Sequence, residues 1–216
     1  MDFFLQLLVN GVCVGLLYGI SAMGFVMIFK ASSVLNFAHG ELLAMGAFFF
    51  LSLATWGKIP VAAAFVLTLA GCFLLGFLIE KFFLRPLIGE KLIFVIMLTV
   101  GLAAMFKGLI LLVWGGNLHT YPEFLPASLE LHLGSITIVP VYSATLVISV
   151  AFLVLFGLFF KKSSQGIFMR SVADNQKAAL SLGVHVRRVF ALSWAIAAMV
   201  ACMSGIVLGI INGVNV

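Results

Sequence analysis

Charged side chains are scarce in this chain of 216 residues: they make up 9% of it, whereas hydrophobic residues make up 64%. A soluble domain carries roughly a quarter of charged residues because its surface must be wetted. The composition therefore excludes a soluble enzyme, a disordered tail and a conventional nucleic-acid-binding domain. Cysteine is also rare, with three residues in apolar stretches, which excludes a secreted disulfide scaffold. These are Cys13, Cys72 and Cys202.

Catalytic and metal-binding motifs are missing from the sequence as well. It contains no His-Glu-x-x-His segment, no Gly-x-Ser-x-Gly elbow and no paired intramembrane aspartates. His39 and Glu41 are two residues apart, which on a helix points them to different sides. We therefore expect no catalytic residue, no metal site and no cofactor bound by this chain.

Long apolar runs dominate what is present. Each of six runs is long enough to cross the hydrocarbon core of a bilayer, about 30 Å thick, as a helix of roughly 20 residues. A helix satisfies its backbone hydrogen bonds internally, as a lipid-exposed segment must. We predict an all-α, polytopic bundle of about six spans in a single domain over residues 1–216. The runs are Phe3–Phe29, Leu35–Trp56, Ile59–Ile79, Leu92–Trp114, Val141–Phe160 and Val189–Ile211.

The basic residues predict the orientation of these spans. Ten of the 12 Lys and Arg residues occupy alternate connections, whereas Lys58 alone lies on the opposite side and Lys107 lies within a span. Because cytoplasmic loops carry an excess of Lys and Arg, the N-terminus should face outward. Residues 115–140 then form a periplasmic loop without Lys or Arg, and residues 161–188 form a long cytoplasmic loop. In the outer loop, alternation over residues 129–138 predicts a short hairpin.

Glycines recur every four residues in the first and last spans. This spacing places them on one helix face, where backbones can approach closely. We interpret both stripes as helix-packing surfaces that favour a compact bundle. The glycines are Gly11, Gly15 and Gly19, then Gly205 and Gly209, followed by Gly213.

Polar residues at the start of the second span have two interpretations. Asn36, His39 and Glu41 are costly to expose to lipid, so they should face protein or water. They either line the cytoplasmic end of a translocation pathway or form a buried cluster that fastens the span to its neighbours. Ser32, Ser33 or Asn36 can cap the helix. Lys107 either extends its stem toward the outer interface or contributes a charge to the pathway.

A short helix is predicted within residues 161–188. Asp174 or Asn175 can cap it and Gly183 can end it. Such a helix is stable only when it packs against something. Either its face with Ala178, Ala179 and Leu182 fits a groove on a cytoplasmic partner, or it lies on the anionic inner leaflet of membrane lipid.

Three stretches resemble one transporter family in the expected order. The run Asn36–Glu41 (Asn-Phe-Ala-His-Gly-Glu) is similar to the N-terminal signature of permease subunits of branched-chain amino acid ABC importers. Glu80 with the Arg85–Leu87 stretch resembles the basic loop of that family, and Met169–Arg188 resembles its long cytoplasmic loop. The matches extend over essentially the whole chain.

The resemblance implies a docking segment. ABC permeases carry a Glu-Ala-Ala-x-x-x-Gly segment that docks on the ATPase, and here Lys177 replaces the acidic residue before Ala178, Ala179 and Gly183. The substitution removes any salt bridge made by that acid, whereas the small residues and the glycine remain. The implied ATPase-coupling residues are Asp174, Lys177, Ala178, Ala179, Leu182 and Gly183.

The resemblance also implies partners and a location. It implies a non-enzymatic permease of the bacterial inner membrane that pairs with a second homologous permease, two cytoplasmic ATPases that bind ATP, and a periplasmic or extracellular solute-binding protein. Branched-chain or other apolar amino acids are the expected solutes, with urea and short amides as alternatives. A stand-alone channel or secondary transporter is the rival class. Since family members continue beyond the last glycine-rich span, we expect this chain to be a C-terminally truncated member or a fragment.

Overall fold

The computed structural model describes residues 2–32, 35–87, 90–122, 131–133, 136–138 and 140–215. Eight α-helices account for most of these residues, so the predicted all-α fold class is confirmed. In chain order they are α1 (Asp2–Ser32), α2 (His39–Leu51), α3 (Val61–Ile79), α4 (Leu92–Trp114), α5 (Pro140–Lys162), α6 (Ser164–Asp174), α7 (Gln176–Ser181) and α8 (Val186–Asn212). π-Helical turns at Ser52–Trp56 and Glu80–Leu84 extend α2 and α3, and a short 3₁₀ turn follows at Arg85–Leu87.

Helix α8 is the central element of the bundle. It packs against α1, α2 and α3, and α4 lies outside α2 while α5 lies against α1. About four fifths of its most apolar stretch is buried, compared with a third or less in the other long helices. Alanines and glycines line much of α8, because three helix backbones can surround a fourth only where side chains are small.

Five helices among the described residues are long and apolar enough to cross a membrane. Their candidate spans are Phe4–Ser32, Val61–Leu87, Leu92–Trp114, Thr145–Lys162 and Val186–Asn212. The sixth predicted run, Leu35–Trp56, differs from this group. Its helix begins at His39, after an irregular segment, and changes to a π-helical turn at Ser52. Helix α2 is therefore shorter than the five candidate spans and is not one of them. The predicted number of six spans stays a prediction.

The two ends of the bundle differ in charge. The end formed by the last turns of α1, α3 and α5 and the first turns of α4 and α8 carries most of the basic residues, and we call it the basic end. Helices α6 and α7 lie there, against α1, α5 and α8. The apolar core beneath them joins Met27 and Ala31 of α1 to Met169 and Val172 of α6. Amphipathic α6 therefore covers the end of the bundle.

The opposite end is closed by the chain that follows α4. His119 and Val214 exchange backbone hydrogen bonds of 2.9 and 2.8 Å, which ties this segment to the residues after α8. The Tyr121 hydroxyl donates to the Ala47 carbonyl at 2.9 Å, and burial raises the pKa of this phenol above its usual range, so it stays protonated. The predicted hairpin is present, with β1 (Leu131–Leu133) antiparallel to β2 (Ile136–Ile138).

Candidate functional site

Helix α2 begins deep inside the bundle rather than at its surface. The His39 ring contacts the Ser21 carbonyl of α1. Ser21 lies about 16 Å along the helix axis from Ser32, where α1 ends. The chain therefore turns back into the bundle before α2 starts. Irregular backbone at membrane depth is tolerated where protein buries it or where it lines a cavity. Asn36 and Ala38 in this segment are each 1% exposed.

Asn36 organises the turn that precedes α2. Its Oδ1 accepts the Ala38 backbone N–H at 3.0 Å, and its carbonyl accepts the His39 N–H at 3.3 Å. The residue at the N-cap is Ala38, which offers no side-chain bond to the helix. Asn36 thus closes the turn without capping α2. Ser32 instead donates to Ile28 within α1, and Ser33 lies outside the described residues.

Two buried polar atoms of this turn form no hydrogen bond within the described residues: one is a donor and the other is an acceptor. Because a carbonyl only accepts, the contact to Ser21 at 3.0 Å requires the proton of a neutral His39 ring to be on Nε2, which leaves Nδ1 as an acceptor. Among the residues that the structure describes, this buried Nδ1 has no hydrogen-bond partner, and the same holds for Asn36 Nδ2, which is a donor. A buried unpaired polar group is costly, and such groups mark places where a water or a ligand is held.

Glu41 and Lys107 are positioned differently. Glu41 lies in the first turn of α2 and is half-buried, near the turn. Lys107 is exposed on the outer face of α4, about 12 Å along that helix from Thr99, whose hydroxyl contacts the Leu35 carbonyl. The structure therefore separates Lys107 from the Asn36 turn, and its exposure suits the alternative in which the stem extends toward the interface.

The connection between α5 and α8 forms a pair of short helices with defined caps. Asn175, rather than Asp174, caps α7 by accepting the Ala178 N–H at 3.0 Å, and Asp174 ends α6. Gly183 ends α7 with φ +82°, and the bonds Gly183 N–H to Leu180 O and Val184 N–H to Ala179 O complete a Schellman motif. The predicted stop at Gly183 is therefore present.

The two faces of this segment differ from the predicted arrangement. Ala179 is 2% exposed and packs into the chain's own core with Met169 and Val186, so it does not share a free face with Leu182. Leu182 is 83% exposed and Leu180 54% exposed. Ala178 is exposed, and the backbone of Lys177 lies within α7. The exposed apolar surface of the segment is thus formed by the two leucines, which we call the leucine pair.

The two glycine stripes have opposite environments. A Cβ on Gly205 would collide with the backbone of Leu43, and one on Gly209 would lie 2.7 Å from Val214. These glycines permit the close packing of α8. The stripe on α1 has no such neighbour among the described residues, since a Cβ on its glycines would meet nothing within 4 Å and the glycines are exposed, so its role as a packing surface stays a prediction. They are Gly11, Gly15 and Gly19.

One ion pair was missed as a site by sequence reasoning. Glu80, 1% exposed, accepts from Arg85 Nη2 at 2.9 Å and from Arg85 Nε at 3.4 Å, at the basic end of α3. The signal was an acid and a base five residues apart at the end of an apolar helix. Within the described part of the chain, no group of three or more His, Cys, Asp or Glu side chains has the arrangement of a metal site.

Comparison with known proteins identifies relatives over nearly the whole chain. Residues 7–216 match the family model described as "Branched-chain amino acid transport system / permease component". The high-affinity branched-chain amino acid transport system permease protein BraD of Pseudomonas aeruginosa is 29% identical over 222 residues, 98% of this chain and 72% of the relative. The corresponding LivH proteins of Salmonella typhimurium and Escherichia coli K12 are 28% and 29% identical, with the same coverage. No solved structure matches the chain significantly.

Proposed function

We propose that this chain, which belongs to the family of branched-chain amino acid transport permease components, is the membrane subunit of an ATP-driven importer for branched-chain or other apolar amino acids. Its family makes it a transport subunit and not an enzyme. The observation that carries the proposal is the buried turn before α2, where one donor and one acceptor have no partner among the described residues.

The chemistry of this turn is complementary to a zwitterion. Asn36 Nδ2 can donate to a carboxylate, and His39 Nδ1 can accept from an ammonium group. Within the described part of the chain, no side chain caps the start of α2, and the positive end of the helix dipole there adds to the attraction for a carboxylate. The apolar side chain of the solute then meets the hydrophobic walls of α1, α2 and α8. Discontinuous helices in transporters place substrate sites in this way.

The leucine pair supplies the coupling surface in this proposal. Helix α7 is held against the bundle by the buried Ala179, and its two ends are defined by the Asn175 cap and by Gly183. Exposed leucines on an anchored helix fit an apolar groove on a cytoplasmic ATPase. ATPase closure would push α6 and α7 against α1 and α8, and so transmit motion to the bundle.

In the proposed assembly, this chain supplies a solute site and a surface that contacts the ATPase, and other subunits supply the rest. A second homologous permease completes the pathway, two ATPases bind ATP, and a solute-binding protein delivers the solute from outside. The orientation proposed from the basic residues places the basic end and α7 in the cytoplasm of a bacterium, with the chain in the inner membrane.

Uptake of radiolabelled leucine by proteoliposomes with the complete complex tests the solute site. Asn36→Asp retains the Oδ1 that accepts from Ala38 and removes the donor, and His39→Gln retains a donor for Ser21 and removes the Nδ1 acceptor. We expect each to raise KM about tenfold, the cost of one charge-assisted hydrogen bond, while ATPase activity without solute stays unchanged. Thr68→Val is the matched control, because this buried hydroxyl donates to Ala64 in its own helix. Unchanged KM in both variants would refute the site.

The same proteoliposomes test the coupling surface. Leu180→Asp with Leu182→Asp should abolish uptake and co-purification of the ATPase, with no change in thermal unfolding, because both side chains are exposed. Leu118→Asp is the control, since Leu118 is 60% exposed at the opposite end. Leucine flux through the chain alone, without ATP, would instead establish the stand-alone channel.

A further inference from the structure

An apolar groove with two basic residues at one end lies between α1, α5 and α6. Its cavity is about 280 Å³, and its walls include Gly19, Val26, Phe156 and Phe160. Lys30 and Arg170 line it at the basic end. We call it the basic groove. It is separate from the turn before α2 and from the leucine pair.

Among the residues that the structure describes, neither cation of the basic groove forms a salt bridge, although Asp174 lies one turn from Arg170 on α6. Lys30 and Arg170 are both exposed, and the salt bridge present in the described part of the chain joins Glu80 and Arg85 instead. Two cations from different helices therefore converge on one opening. A phosphate or similar anionic group would complement both, because Arg and Lys bind phosphate oxygens strongly.

The length of the basic groove distinguishes a lipid from a free anion. From Lys30 to Gly19 it follows α1 for about 16 Å, close to half of a hydrocarbon core about 30 Å thick. A free phosphate would occupy the basic opening and leave this apolar length empty. A phospholipid has the anionic group and the chains of one leaflet in a single molecule.

Gly19 lines the apolar end of the basic groove, away from Lys30. No atom of the described residues lies within 4 Å of a Cβ built on Gly19, so this part of the groove is open. Phe156 and Phe160 form the facing wall, and their rings are 4.8 Å apart. A transmembrane helix from another protein would complement Lys30 and Arg170 only if it carried acidic side chains at this level, whereas an anionic lipid carries its charge and its acyl chains in one molecule.

We propose that the basic groove is a specific binding site for an anionic phospholipid, with its phosphate between Lys30 and Arg170 and an acyl chain along α1 toward Gly19. The bound lipid fills the space between α1 and the α5–α6 corner. The lipid would thereby contact the long helices α1 and α5 and also α6, which leads into α7.

Native mass spectrometry of the full chain tests the proposal with phosphatidylglycerol and phosphatidylcholine of identical acyl chains. The wild-type chain should retain phosphatidylglycerol preferentially, and Lys30→Gln with Arg170→Gln should reduce that preference about fivefold for each cation removed. The matched control, Lys81→Gln with Lys91→Gln, removes the same charge from the same end outside the basic groove. An equal loss in the control would mean general charge attraction and overturn the site.

Two further arms separate a lipid from other occupants. Gly19→Leu keeps both cations and fills the apolar end, so it should lower binding of phosphatidylglycerol; inorganic phosphate at the same concentration should not displace the lipid. Displacement by phosphate would show an ion site and overturn the proposal. A photoreactive residue at Val26, which is exposed in the basic groove, should give lipid adducts in native membranes. Adducts solely with a second polypeptide would assign the basic groove to a protein helix.

Discussion

Arg85 holds the buried carboxylate of Glu80 across one turn at the basic end of α3, with Nη2 2.9 Å from Oε2. The pair lies where α3 changes to a π-helical turn, and this turn contacts α8. The Glu80 side chain therefore faces the interior of the bundle, while the Arg85 side chain pairs with it from a partly exposed position. The pair fixes the end of α3 against α8.

Removing Arg85 should destabilise the chain more than removing a free cation. Arg85→Gln leaves the Glu80 carboxylate buried without its partner, which we expect to cost about 1 to 3 kcal/mol, less than for a fully buried pair because Arg85 is partly exposed. Lys91→Gln is the matched control and should be neutral. Thermal unfolding in detergent measures both, and equal midpoints would show that the pair has no stabilising role.

Glycine substitutions should separate the packed helices from the open stripe. Gly46→Ala places a Cβ 2.5 Å from Cys202 Cα, so we expect α2 and α8 to be forced apart at a cost of about 1 to 3 kcal/mol. Gly15→Ala has open space and should be neutral or slightly stabilising, because alanine favours a helix. The difference between their unfolding midpoints tests the packing, and a destabilising Gly15→Ala would place a neighbour against α1.

The end of α7 should depend on the backbone conformation of Gly183. Gly183→Ala forces a Cβ into the left-handed region at φ +82°, which we expect to cost about 1 to 2 kcal/mol. Asparagine tolerates this region, so Gly183→Asn is the control. Hydrogen exchange of the α7 amides should accelerate in the alanine variant more than in the asparagine variant. The same rate in both would contradict the Schellman stop.

Labelling of single cysteines should establish the orientation. Leu182→Cys is expected to react with an impermeant maleimide from the cytoplasmic side, and Leu118→Cys from outside, because both side chains are exposed at opposite ends. The three native cysteines are buried and should label little, which provides the background. Reaction of Leu182→Cys from outside in intact cells would reverse the proposed topology and remove the coupling surface from the ATPase side.

The sequence predicted features that depend on neighbours along the chain. Apolar length predicted the long helices, Gly183 predicted the end of α7, and alternation of polar and apolar residues predicted the pairing of β1 with β2. These features follow from local rules. The sequence placed the caps less well, since Asn36 forms a turn instead of capping α2.

Features that depend on distant parts of the chain were beyond these rules. Periodicity gave Gly15 and Gly205 the same interpretation, yet one is open and the other lies against Leu43. The helical pattern placed Ala179 and Leu182 on one face, whereas the structure buries Ala179 in the core and leaves Leu182 exposed. A helical pattern shows which residues share a face, whereas only the neighbouring helices decide whether that face is covered.

The amino-acid sequence alone determined that this protein is a helical membrane protein and which family it resembles, because hydrocarbon admits few polar groups and leaves long apolar runs in the chain. Tertiary structure alone decided that α2 starts within the bundle, that α8 is its centre, and that the donor of Asn36 and the acceptor of His39 lack partners in the part of the chain that is described. These properties arise when helices far apart in the sequence exclude lipid and water from one another, which no local pattern records.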